Sequence, residues 1–242
     1  MPEQWPVPLG GYAEWQAPVA LRGAVACLWA GAGQREVLVL PDGCTDLIWE
    51  QGTGAYVAGP DTGPAPSRAV GAIAAIRFRP AAGGAVLGVP LNELKDLRVA
   101  LPDLLPEIAR RLPADLPASE AAARLESIVG ALVADAEPDH DVLRAAHLLR
   151  DPRASLTQAA GTTGVSPRQL RRRFHAAVGY GPKTLQRVMR FRRFVSRVDA
   201  GEVTDLAALA ASTGYADQAH LTRECAELSG LTPAALVRAR HG

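Results

Sequence analysis

The chain has 242 residues, 48% apolar and 21% charged, which fits two compact domains that can each bury a core. No run approaches the roughly 18 consecutive apolar residues of a membrane span, and residues 1–10 lack the basic start and apolar stretch of a signal peptide, so a cytosolic protein is expected. A formal net charge of +1 conceals a division: residues 1–140 hold 10 Lys/Arg against 17 Asp/Glu, and residues 141–242 hold 16 against 8.

In chain order, the first signals are short β-branched or aromatic runs bounded by Pro, Gly and Asp: Glu36–Leu40, Thr45–Trp49, Ala55–Ala58 and Ile73–Phe78. PDGCTD (Pro41–Asp46) and GPDTGP (Gly59–Pro64) are dense in turn residues and read as hairpin connections. The first half is therefore predicted to be β-rich and barrel-like to about residue 80. Trp29, Asp46, Trp49, Tyr56 and Arg77 are candidates to line an effector pocket there, although each is more often plain core or surface. Cys27, Cys44 and Cys225 are odd in number and lack C-x-x-C spacing, which argues against a zinc site or a disulfide framework.

From residue 90 to 136 the pattern changes to helices separated by prolines. The clearest covers Ser119–Ala134, with Leu125, Ile128, Val129, Leu132 and Val133 on one face and Ser119 as the expected N-cap. That stripe is expected to pack on the sensor domain, with a dimer seam as the alternative. Glu137–Asp139 reads as a linker, giving domains over 1–137 and 138–242.

The remainder reads as α-helix and repeats itself at about fifty residues. Leu156, Thr163 and Gly164 match Leu206, Thr213 and Gly214; after a one-residue insertion, Leu170, Arg172, Gly179 and Pro182 match Leu221, Arg223, Gly230 and Pro233. A unit of helix, Gly-containing turn and second helix, written twice, is a pair of helix-turn-helix modules. In the first, Ser155 opens a short helix to Thr163, and Ser166-Pro167 gives an N-cap with proline at the first helical position. Along the second helix Leu170, Phe174 and Ala177/Val178 repeat at core spacing, while Arg168, Arg171, Arg172 and His175 share the opposite face. In the second module Asp217 caps a helix to about Leu228 that turns Gln218, Ala219, Thr222 and Arg223 outward. Between the modules, Lys183–Val198 is a helix whose apolar residues leave arginines on its remaining surface. It is expected to hold the two reading helices about one duplex turn apart, roughly 34 Å.

Between Pro152 and Val198 there are 11 Lys/Arg and no acidic residue. Such a block faces a polyanion, because phosphate neutralisation releases counterions. Arginine on a helix in the major groove can read guanine O6 and N7, an amide can read adenine, and a small apolar side chain fits the thymine methyl.

The ordered set GVSPRQLRRRF, GYGP, a basic linker helix, TGYADQAHLTR and GLTP resembles the AraC/XylS family of bacterial transcription regulators over roughly His140 to His241. The resemblance implies base contacts from Arg168, Arg171 and Arg172 in the first module, and from Gln218, Ala219, His220, Thr222 and Arg223 in the second. PDGCTDLIW, VAGPDTG and IRFRP look like a domain of uncharacterised function that often precedes such modules. Two features depart from the family pattern. Cys225-Ala226-Glu227 replaces an aromatic and a basic residue, implying weaker DNA binding by the second module, and Gly161 interrupts the first supporting helix at a cost of about 1 kcal/mol.

Fold class is thus expected to be α+β multidomain, with a β-rich barrel-like N-terminal domain and flanking helices before an all-α domain with two helix-turn-helix modules. The expected function is sequence-specific transcription regulation, with no metal or cofactor. Candidate partners are promoter DNA, a small-molecule effector, RNA polymerase and a second copy of the chain. A non-specific architectural DNA binder explains neither the paired modules nor the acidic half. A sensor thiol at Cys44 is disfavoured by Asp42 and Asp46, which would raise its pKa. No H-E-x-x-H, G-x-S-x-G or P-loop pattern supports an enzyme.

Overall fold

The computed structural model describes residues 11–202 and 205–241. Six antiparallel strands form one sheet: β1 (Gly11–Gln16), β2 (Val25–Val39), β3 (Thr45–Glu50), β4 (Gly54–Ala58), β5 (Ala65–Phe78) and β6 (Arg98–Ala100). Their order is β1-β2-β5-β3-β4-β6, an open sheet rather than a closed barrel. The four expected strand segments are present, but β2 and β5 extend far beyond them and pair from Val25↔Phe78 to Val39↔Ala65. The additional part of β2, VACLWAGAG, is rich in Ala and Gly, which have low strand propensity and give no alternation to read.

Strand alternation gives the sheet two different faces. One carries Leu28, Leu47, Trp49, Val57, Ala74 and Ile76 into the main N-terminal core. After the short helices α1 (Gly83–Leu87), α2 (Leu101–Leu104) and α3 (Pro106–Ala109), that core is covered by α4 (Ala118–Asp135). Leu125, Ile128 and Val129 of α4 are at most 1% exposed and pack within the chain, with Leu132 and Val133 partly buried against the same core. The cap of α4 is Pro117, with no side-chain cap bond, and Ser119 lies inside the first turn. Proline's fixed φ starts this helix in place of a hydroxyl. The opposite sheet face holds a small buried cluster of Ile48, Ala58, Ile73 and Ala75, flanked by Trp29 and Tyr56.

The C-terminal half contains α5 (His140–Leu148), α6 (Leu156–Gly161), α7 (Pro167–Val178), α8 (Pro182–Asp199), α9 (Leu206–Thr213), α10 (Gln218–Ser229) and α11 (Pro233–His241). One apolar cluster runs through both modules, with Phe174, Phe191 and Phe194 among its largest buried side chains. Gly161 is the last residue of α6 and is exposed, so it terminates that helix instead of interrupting it.

The two halves pack against one another. Leu40 and Ala81, from the sheet side, join the helical cluster. At Gly43 an added Cβ would lie 2.8 Å from Met189 Cε, so the Pro41–Asp46 turn sits directly on α8. Gly179, at the end of α7, adopts φ +90° with Leu91 O 3.0 Å from where a Cβ would stand. Only glycine accommodates both that left-handed backbone and the close approach of the Pro90–Leu94 segment.

Candidate nucleic-acid interface

Local chemistry sets the first module. Ser166 Oγ accepts from Gln169 N at 3.3 Å, and the Gln169 side chain accepts from Ser166 N at 3.1 Å, a reciprocal cap that starts α7 beside Pro167. Leu170, Phe174 and Val178 then point into the core. This leaves Arg168, Arg171 and Arg172 exposed, without a carboxylate partner among the described residues. Arg173 faces the other way. Its guanidinium donates to Asp139 at 2.5 and 2.6 Å and to Asp141 at 2.9 Å. Burial pushes the Asp139 carboxyl up, but Arg173 and backbone N–H donors outweigh it and hold it below the ordinary range. Arg173 therefore fastens α7 to the start of α5, and the three other arginines form the free cationic surface.

In the second module Asp217 accepts from His220 N at 2.6 Å and starts α10. Gln218, Ala219 and Arg223 are exposed, whereas Thr222 is half-buried with its hydroxyl donating to Gln218 O at 2.9 Å. His220 is likewise half-buried. Its ring meets Tyr215 edge-on at 5.2 Å, and its Nε2 lies 3.2 Å from Glu224 Oε1. These contacts tie its ring to neighbouring residues of the same module.

Helix α8 joins the modules with 18 residues, a length of about 27 Å. Leu185, Val188, Met189, Phe191, Phe194, Val195 and Val198 are all buried, as the sequence pattern predicts. Its arginines are not uniformly at the surface. Arg190 is 13% exposed and binds Glu224, while Arg187 binds both Glu224 and Glu227. Glu224 and Glu227 thus bind α8 and fasten α10 to it.

Residues 159–239 match the helix-turn-helix domain family, and residues 13–100 match a domain of unknown function (DUF6597). The C-terminal half is an AraC-type helix-turn-helix domain. Such a domain is the DNA-binding part of a transcription regulator, which accords with the two capped helices just described. No curated protein matches the chain. Among solved structures it is similar to ToxT from Vibrio cholerae, at 8% identity, covering 89% of this chain and 98% of that one with a TM-score of 0.47. An unsaturated-fatty-acid-bound ToxT from Vibrio cholerae strain SCE256 is similar at 12% identity, covering 87% and 93%, with a TM-score of 0.42.

Outside the AraC-type domain, the five candidate pocket residues do not converge. Trp29, Asp46, Tyr56 and Arg77 share one sheet face. Trp49 lies on the other, fully buried, with its indole N–H donating to Pro113 O at 2.8 Å. Asp46 and Trp49 are three residues apart on β3, and strand alternation separates them. Arg77 donates twice to Asp46, at 3.0 and 3.2 Å, and lies 3.6 Å from both Glu14 and Asp42. Its guanidinium also covers Trp29, 5.9 Å from the ring centroid. This face is filled by its own ion pairs. Cys44 is buried, and burial followed by Asp42 pushes its thiol far above the ordinary range, unlike a reactive sensor.

Sequence reading missed a cleft of about 500 Å³ where the sheet half meets the AraC-type domain. Asn92 and Lys95 line it from one side, His175 and Tyr180 from the end of the first module, and Arg187 and Glu227 from α8 and α10. No helix among the described residues is long and apolar enough to cross a membrane.

Proposed function

We propose that the chain regulates transcription by reading promoter DNA with α7 and α10, under control of an effector bound where its two halves meet. Residues 1–137 act as the regulatory domain and 138–242 as the reading domain. Arg168, Arg171 and Arg172 read guanine edges or phosphates from the first module; Gln218, Ala219, Thr222 and Arg223 read the second half-site. The observation that carries this is the pair of capped helices fixed on one buried spacer, each with an exposed polar face. An architectural binder has no need of two faces held on one rigid support. Two modules in one chain can engage two half-sites, so a monomer suffices. The cleft is a better effector site than the Arg77 face, whose guanidinium is already surrounded by three carboxylates.

The test is fluorescence anisotropy on duplexes from upstream of the protein's own and neighbouring genes, across a salt series, beside Arg172→Ala and Arg223→Ala. Tight binding to one fragment, a steep salt slope and discrimination weakened by about 1–3 kcal/mol in the arginine variants are expected. Equal weak binding to every fragment would favour the architectural reading, and no binding at low salt would refute both.

A further inference from the structure

Arg187 belongs to two structures at once. It lines the cleft between the halves, and it holds α10 through Glu224, at 3.3 Å, and through Glu227. The two carboxylates are not equally secured. Glu224 is 9% exposed and also bound by Arg190, whereas Glu227 is 62% exposed and held by Arg187 alone among the described ion pairs. Glu227 is therefore the replaceable partner. Lys95, which also lies 3.7 Å from Asp96, lines the same space, so two fixed cations, Lys95 and Arg187, face its one lining carboxylate.

From this geometry we infer that Arg187 is the positioning residue that couples the cleft to the second reading helix. An anionic group entering the cleft takes Arg187 from Glu227, which loosens the C-terminal half of α10 and alters how the second module meets DNA. The coupling is reciprocal: a DNA site that requires α10 firmly seated weakens the hold of the cleft on the anion. The inference rests on the reading of the cleft as the regulatory site and specifies how its occupant acts and what charge it carries.

Thr184 lines the cleft one helical turn before Arg187, and it offers a way to place a charge there without knowing the effector. In the full chain carrying Cys27→Ser and Thr184→Cys, the introduced thiol is modified with a methanethiosulfonate bearing either an ethylsulfonate or an ethyltrimethylammonium group. Cys44 and Cys225 are buried, and single labelling is checked by mass. Hydrogen exchange is then followed over 224–229, without DNA. The sulfonate adduct is expected to exchange about two- to fivefold faster there than the cationic adduct, the range for loss of one partly exposed ion pair. That difference should vanish when Arg187→Ala is added. Equal exchange in the two adducts, or a difference that survives Arg187→Ala, would overturn the inference. Because the readout needs no DNA, a chain that failed the anisotropy test could still pass this one, and the reverse.

Discussion

Arg190 grips Glu224 with two nitrogens: its terminal nitrogen lies 2.7 and 2.9 Å from the two carboxylate oxygens and Nε 3.1 Å from one of them. The same guanidinium lies over the Tyr215 ring, 5.1 Å from its centroid. The pair joins α8 to α10 across 34 residues of sequence. It is nearly buried, so its value depends on both members remaining.

Removing one member should therefore cost more than removing both. Glu224→Ala is expected to destabilise the chain by about 3 kcal/mol, because it strands a buried guanidinium, whereas Glu224→Leu with Arg190→Met should return to within about 1–2 kcal/mol of the parent. Urea unfolding measures both. Burial pushes the Glu224 carboxyl up, but Arg190 and His220 outweigh it and leave it below the ordinary range. A carboxyl lowered by folding stabilises the native state above its unfolded pKa of about 4.3 and loses that contribution as pH falls through the folded value. The stability gap between parent and Glu224→Gln should accordingly be full at about pH 6 and narrow toward about pH 3. A pH-independent gap would refute the assignment.

Neighbouring arginines on α7 should fail in different ways. Arg173→Ala removes the bonds to Asp139 and Asp141 and should cost about 1–2 kcal/mol of stability while sequence discrimination survives. Arg172→Ala should leave unfolding unchanged and weaken discrimination. Thermal melts and anisotropy on matched and mismatched duplexes separate the two, and the same phenotype in both variants would contradict the placement of Arg173.

Two glycines with left-handed backbone should differ in cost. At Gly164, φ +71°, an added Cβ meets nothing within 4 Å, so Gly164→Ala should cost only the backbone term of about 1–2 kcal/mol. At Gly179 the same change also drives a methyl into Pro60 and the Leu91 carbonyl. A loss of about 2–4 kcal/mol is expected there, with separate unfolding of the two halves in calorimetry. Equal costs would mean that the halves do not dock through this point.

Thiol chemistry should follow burial. Burial is also the first cause pushing the half-buried Cys27 thiol up, to about 11. Native protein treated with iodoacetamide at neutral pH should therefore react slowly at Cys27 and not at Cys44, and both should react after denaturation. Rapid native labelling of Cys44, read by peptide mass, would restore the sensor-thiol alternative.

Much of the helical half is legible in the sequence because its signals are local. The caps at Ser155, Ser166 and Asp217 each act within three residues of the helix they start. The repeat and the 3.6-residue spacing then assign Leu170 and Phe174 to the core and Arg168, Arg171 and Arg172 to the surface. Trp49 was equally legible: its offset of three from Asp46 on one strand already puts the two on opposite faces. The Ala- and Gly-rich parts of β2 and β5 were not, because they become strand through long-range pairing and not through propensity.

The sequence by itself determined two capped helix pairs, a basic surface on the first, an acidic β-rich half before them and the spacer between them, since periodicity, caps and charge are properties of neighbouring residues. Only the tertiary structure decided that Arg187 and Arg190 hold Glu224, and that a cleft opens between Lys95 and Arg187. Those relationships join residues 34 or more positions apart or lie on a surface shared by both halves. Their energies depend on burial and mutual approach, which no single segment encodes.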